Sequence, residues 1–180
     1  MSVAAAQSDI APSLRRLYIA RFAFAILWAG ATVAVASTLS PLAVALLVLY
    51  PAFDVVAAVL DARSGKAKAP AWLYVNMAVS VLAGLSLPLA ASSGIPTVLR
   101  VWGAWAIAAG LVQLVVGVAR RTLGGQWPMI VSGAISTLAG AAFILQAARP
   151  DPSLTGLAGY AVLGGVFFLV SAIRLGRRQS

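Results

Sequence analysis

Six long runs of apolar residues, separated by short polar breaks, take up almost the whole chain: 22–39, 41–60, 71–91, 101–119, 127–148 and 154–173. Each is close to the ~20 residues a helix needs to cross a hydrocarbon core, so the pattern predicts an all-α integral membrane protein with six transmembrane helices. The break at Ser40-Pro41 is hardly longer than a hairpin requires, which makes the first two helices antiparallel neighbours. Pro51 cannot donate to the carbonyl of Leu47 and is expected to bend the second helix. Pro88 is expected near the end of the third helix, ahead of the turn Ser92-Ser-Gly94-Ile-Pro96. Before the first run, residues 1–12 read as a flexible tail, and Ser13 reads as the N-cap of a short amphipathic turn, Leu14 to Arg21, lying at the membrane interface. The predicted organisation is a tail over 1–16, a six-helix domain over 17–176 made of hairpins 17–63, 71–121 and 127–174, and a basic tail over 177–180. Ala34-Val-Ala36 also has the form of a signal-peptide cleavage site, but a cut there would remove half of the first hairpin.

Composition supports the membrane reading and narrows the chemistry. With 62% hydrophobic and 9% charged residues and a mean hydropathy of +0.98, the chain has too few polar side chains to cover a water-soluble globule. It has no Cys and no His, which removes disulfides, thiol nucleophiles and imidazole chemistry. Asp9, Asp54, Asp61 and Asp151 are its four acids; two of them lie outside the apolar runs, so no carboxylate metal cluster and no cofactor are expected.

The net charge of +9 would suit a nucleic-acid binder, but the placement of the basic residues does not. Arg15, Arg16, Arg21, Arg63, Lys66, Lys68, Arg120, Arg121, Arg174, Arg177 and Arg178 flank one set of helix ends, whereas Arg100 and Arg149 flank the other. Such an excess marks the cytoplasmic side and puts both termini there. The expected partners are therefore anionic lipid headgroups along a basic rim, not nucleic acid. Trp72, Tyr74 and Trp127 stand where aromatic residues anchor helix ends at the interface.

Asp54 is the anomaly. It stands inside an apolar run, where an ionised carboxylate is costly unless paired. Arg21 enters the same hairpin and is the expected partner; Asn76 and Gln113 are candidate hydrogen-bonding neighbours. Asp61, seven residues on and on the same helix face, is expected to share Arg21 or to pair with Arg63. An unpaired Asp54 would instead be the one group within the membrane able to respond to mild acid. A second pattern is glycine spacing: Gly103, Gly110 and Gly117 recur every seven residues in the fourth run, and Gly133 and Gly140 lie on a small-residue face of the fifth. Bare backbone of this kind allows close helix approach, either within the chain or in a homo-oligomer.

The runs also repeat. The odd ones share Leu27-Trp-Ala-Gly30, Leu82-Ala-Gly84 and Leu138-Ala-Gly140, with glycines 54 and 56 residues apart, and the even ones end at Arg63, Arg120 and Arg174, 57 and 54 apart. Two landmarks with nearly one period indicate three hairpins of one orientation, unlike the inverted repeats of many transporters. The three hairpins, the glycine-containing odd helices and the Gly-x9-Arg form of Gly110 to Arg120 and Gly164 to Arg174 resemble the HdeD family of small six-helix membrane proteins, over about residues 17–176. The first repeat departs from the pattern, with Phe53 and Asp54 in place of glycines. The resemblance implies a bacterial inner-membrane protein, not an enzyme, with a role in acid or other stress and no catalytic residues to carry over. A small transporter or channel lined by Asp54, Asn76 and Gln113 is the alternative, and neither a nucleophile with its base nor a metal site can be assembled from these residues.

Overall fold

A computed structural model describes residues 3–64, 70–123 and 126–177. Among them the chain forms six α-helices, α1 (Val3–Val35), α2 (Pro41–Arg63), α3 (Ala71–Ser92), α4 (Ile95–Ala119), α5 (Trp127–Gln146) and α6 (Thr155–Arg177), with a single 3₁₀ turn at Arg121–Leu123 and no strand. All six are long and apolar enough to cross a membrane. The chain is a multi-pass, all-helical membrane protein.

Several helix ends differ from the sequence reading. α1 begins at Val3 and runs without a break into the first span, so residues 3–12 are not a flexible tail and Ser13 is not an N-cap. Pro12 removes one helical hydrogen bond, while the alanines before it are the strongest helix formers. Pro51 and Pro88 are likewise inside their helices, and α3 continues to Ser92. α4 starts at Ile95, not Val101, with Pro96 in its first turn, where a missing N–H costs nothing. The turn into α4 requires Gly94, whose φ of 91° lies in the left-handed region that side chains disfavour. At the start of α2, Ser40 accepts from the Ala43 amide at 3.2 Å and caps the helix.

Each helix packs against the next, and α6 packs back on α1, so the bundle is a closed ring. The most extensive contacts are α4 on α5, α1 on α6 and α2 on α3; α1 on α2 and α5 on α6 are much lighter. Thus the tightest pairs join one sequence hairpin to the next, and all three consist of an even helix against the odd helix that follows it around the ring. The repeated glycines do not share one job. A Cβ on Gly30 would meet nothing within 4 Å, and one on Gly84 only the Pro51 ring at 4.0 Å, but one on Gly140 would lie 2.5 Å from the Gly103 carbonyl oxygen.

α4 and α5 meet through glycines on both sides. A Cβ at Gly110 would lie 2.8 Å from the Gly133 oxygen and from the Thr137 nitrogen, and a Cβ at Gly133 would lie 2.7 Å from the Gly110 oxygen. A Cβ at Gly117 would lie 3.3 Å from the Ile130 nitrogen. The partner of this glycine stripe is therefore within the same chain.

Arg15, Arg16, Arg63, Arg120, Arg121, Arg174 and Arg177 belong to one end of the bundle, and Arg100 and Arg149 to the other. Lys66, Lys68 and Arg178 lie outside the described residues. Near the opposite end the interior is apolar and close-packed, with Leu87, Val98, Leu99, Trp102, Leu154 and Leu157 essentially inaccessible. Trp28 and Trp102 stack at 5.5 Å between ring centres, and the Trp28 indole N–H donates to the Leu46 carbonyl at 2.7 Å.

Candidate functional site

Four helices bring polar groups to the middle of the bundle. α2 supplies Asp54, buried at 8% exposure, and its two oxygens are satisfied from different sides. Arg21 of α1 donates to Oδ1 at 2.8 Å. Asn76 and Ser80 of α3, four residues apart and so on one helix face, donate to Oδ2 at 2.6 Å and 2.9 Å. The Ser80 hydroxyl in turn accepts from the Trp105 indole of α4 at 3.0 Å. The Arg21 guanidinium also lies over the Phe168 ring of α6 at 5.0 Å, which adds a cation–π contact. Asp54 therefore takes three side-chain donors from two neighbouring helices, one of them cationic, and charge-assisted bonds of this kind are short and strong.

Asp61, about two turns nearer the basic end, pairs with neither Arg21 nor Arg63. Its Oδ2 accepts from Arg120, the residue that follows α4, at 2.8 Å. The reason is geometric: Arg21 is committed to Asp54, Arg63 is exposed, and Arg120 leaves the end of α4 pointing into the ring. Burial alone would lower the Arg120 pKa, but the hydrogen bond and charge of Asp61 outweigh it, and the net shift is upward. Nearby, the Tyr18 hydroxyl donates to Gln126 Oε1 at 3.2 Å.

Gln113 is not bonded to Asp54. Its amide donates to the Met129 carbonyl at 3.2 Å, tying α4 to α5. It does line the space beside the cluster. A cavity of about 70 Å³ lies between the Asp54 cluster and the basic end, bordered by Tyr18, Asp61, Asn76, Gln113, Arg120 and Gln126. A second, of about 60 Å³, lies on the other side of the Arg21–Asp54 pair, bordered by Tyr50, Trp105, Ser136 and Tyr160 among others. One water needs ~10–15 Å³ on this measure, so each cavity has room for several. Asp61 Oδ1 has no protein partner and borders the first cavity. The tryptophan-filled apolar core described above closes the way to the opposite end.

Ser80, Trp105 and Arg120 are the site residues that sequence reading missed. Ser80 carried a usable signal, its i+4 spacing from Asn76. Trp105 and Arg120 carried none, because a tryptophan within a span reads as core and an arginine at a helix end reads as rim. Among the described residues no group of three His, Cys, Asp or Glu could hold a metal ion. No protein-family model, curated protein or solved structure matches the chain.

Proposed function

We propose that the chain is a non-enzymatic protein of a bacterial plasma membrane, with both termini in the cytoplasm and a role in acid or envelope stress tolerance of the kind the HdeD resemblance implies. The observation that carries the non-enzymatic part is the commitment of both interior acids. Asp54 is bonded to Arg21, Asn76 and Ser80, and Asp61 to Arg120. Both carboxylates are held by an arginine, and among the described residues no Cys or His stands beside either to complete a nucleophile and its base. In this reading the two ion pairs brace the ring from inside, one between α1 and α2 and the other across it from α2 to the end of α4. The cytoplasmic orientation is supported by the charge asymmetry of the helix ends.

The test is survival of acid shock by a strain lacking the gene, complemented with the wild-type chain or with Asp54→Asn. Loss of survival in the deletion strain, restored by the wild type, supports the role; wild-type survival of the deletion strain across acid and envelope stresses refutes it.

A second reading, conduction of a small polar solute, is favoured by one observation. The polar cavities reach from the basic end past the Arg21–Asp54 pair into the middle of the bundle. Flux through proteoliposomes that exceeds empty liposomes and is altered by Asp54→Asn would favour it over the bracing role.

A further inference from the structure

The light packing of α1 on α2 leaves a groove at the basic end, with a volume of about 460 Å³ and lined by Ser13, Arg16, Leu17, Ala20, Leu60 and Arg63, with Ser64 at its edge. Ser13, Arg16, Leu17 and Ala20 follow the i, i+3, i+4, i+7 spacing of one face of α1, and Leu60, Arg63 and Ser64 follow i, i+3, i+4 on α2. The groove is therefore built from two facing helix surfaces. Its mouth is cationic and its depth is apolar. Deeper still, the seam between the two helices is closed by Phe24 and Phe53, whose rings stack at 3.8 Å.

Arg16 and Arg63 are both exposed, and neither forms an ion pair or hydrogen bond with a described residue. The two acids of α2 are held elsewhere, Asp54 by Arg21 and Asp61 by Arg120. The Ser64 hydroxyl donates to the Asp61 carbonyl at 2.7 Å, so its proton is committed, whereas the Ser13 hydroxyl is available as a donor. The C-terminal end of α2 disfavours an anion by roughly half a unit charge, and two guanidiniums outweigh it.

We propose that this groove holds one anionic phospholipid, its phosphate bridged by Arg16 and Arg63 and its acyl chain lying along Leu17, Ala20 and Leu60. Guanidinium binds phosphate through paired, charge-assisted hydrogen bonds. The lipid, not free phosphate, is the occupant because the groove opens sideways along Ala20 and Leu60, both exposed on the surface that the hydrocarbon covers. This inference is independent of the role assigned to Asp54.

The experiment is native mass spectrometry of the full chain purified in detergent, with added phosphatidylglycerol or phosphatidylcholine. One phosphatidylglycerol should be retained with several-fold preference over phosphatidylcholine. The pair R16Q/R63Q should reduce that preference to none, and the charge-matched pair R121Q/R174Q should leave it intact. Ala20→Trp, which fills the groove without altering charge, should also abolish retention, and it carries the test if R16Q/R63Q does not fold. Equal loss in both charge pairs would mean that diffuse rim charge binds the lipid and would overturn the proposal. So would unchanged retention in R16Q/R63Q, or displacement of the lipid by inorganic phosphate.

Discussion

Adding one methyl group at Gly110 separates a built helix interface from a merely glycine-rich one. A Cβ there would sit 2.8 Å from the Gly133 oxygen and the Thr137 nitrogen and 2.9 Å from the Ser136 Cβ. None of these is the end of a flexible side chain, so relief requires α4 and α5 to move apart by about half an ångström, enough to forfeit a quarter or more of each displaced contact. The loss would extend along the stripe, because Gly103 and Gly140 hold the same two backbones together further along. Overpacking of this kind costs ~1 to 3 kcal/mol, against which Ala returns up to about 1 kcal/mol of helix propensity. Gly110→Ala is therefore expected to destabilise the protein, and Gly110→Leu to do so more. Gly30→Ala is the internal control: its Cβ meets nothing within 4 Å, so it should be neutral or slightly stabilising. The measurement is unfolding in detergent, by heat or by added SDS, followed by helical signal. A Gly110→Ala protein as stable as Gly30→Ala would refute the close approach of α4 and α5.

Asp54→Asn leaves the Arg21 guanidinium without its counter-charge; removal of one member of a buried pair costs ~3 to 5 kcal/mol, and Arg21→Gln in the same chain should recover part of that loss in a double-mutant cycle read by the same unfolding assay. Ser80→Ala removes one of the two donors to Asp54 Oδ2, leaving Asn76, and strands the Trp105 indole N–H, with an expected cost of ~1 to 3 kcal/mol and a change in tryptophan fluorescence. Single cysteines at Ser93 and Ser64 should be labelled by an impermeant reagent from outside and from inside respectively, and the reverse pattern would invert the assigned orientation.

The six spans were legible because a membrane helix announces itself by length and uninterrupted apolarity, which survive any detail of packing. Asp54 was legible for the complementary reason, as a charge where hydrocarbon should be, and Arg21 could be named because it enters the same hairpin. What the residues did not disclose was which helices lean on each other. Repeat spacing groups the chain as α1 with α2, α3 with α4 and α5 with α6, yet the heaviest contacts run between those groups. Hydropathy is blind to this, since lipid and a neighbouring helix are equally apolar surroundings. The Asp61–Arg120 pair was hidden for the same reason: it spans 59 positions and joins helices that are not neighbours in sequence. Helix starts failed at Ser13 and Val101 because the cues used there, a capping residue and the edge of an apolar run, say where hydrocarbon begins and not where backbone hydrogen bonding does.

The packing of α6 against α1 has a consequence for how the protein is made. Spans leave the ribosome in order, so α1 enters the bilayer five helices before the one that will cover its buried face. Until then Tyr18, Ala25 and Phe22, which meet Phe168 and Gly165 of α6, face lipid or the insertion machinery. Arg21 gains Asp54 one helix later, but its cation–π neighbour arrives only with the last. The ring therefore closes only once α6 is in place, and until then the inserted helices form an open arc. Truncation before Thr155 would leave that arc permanently open, with the α1 face as an adhesive edge for any other membrane helix nearby.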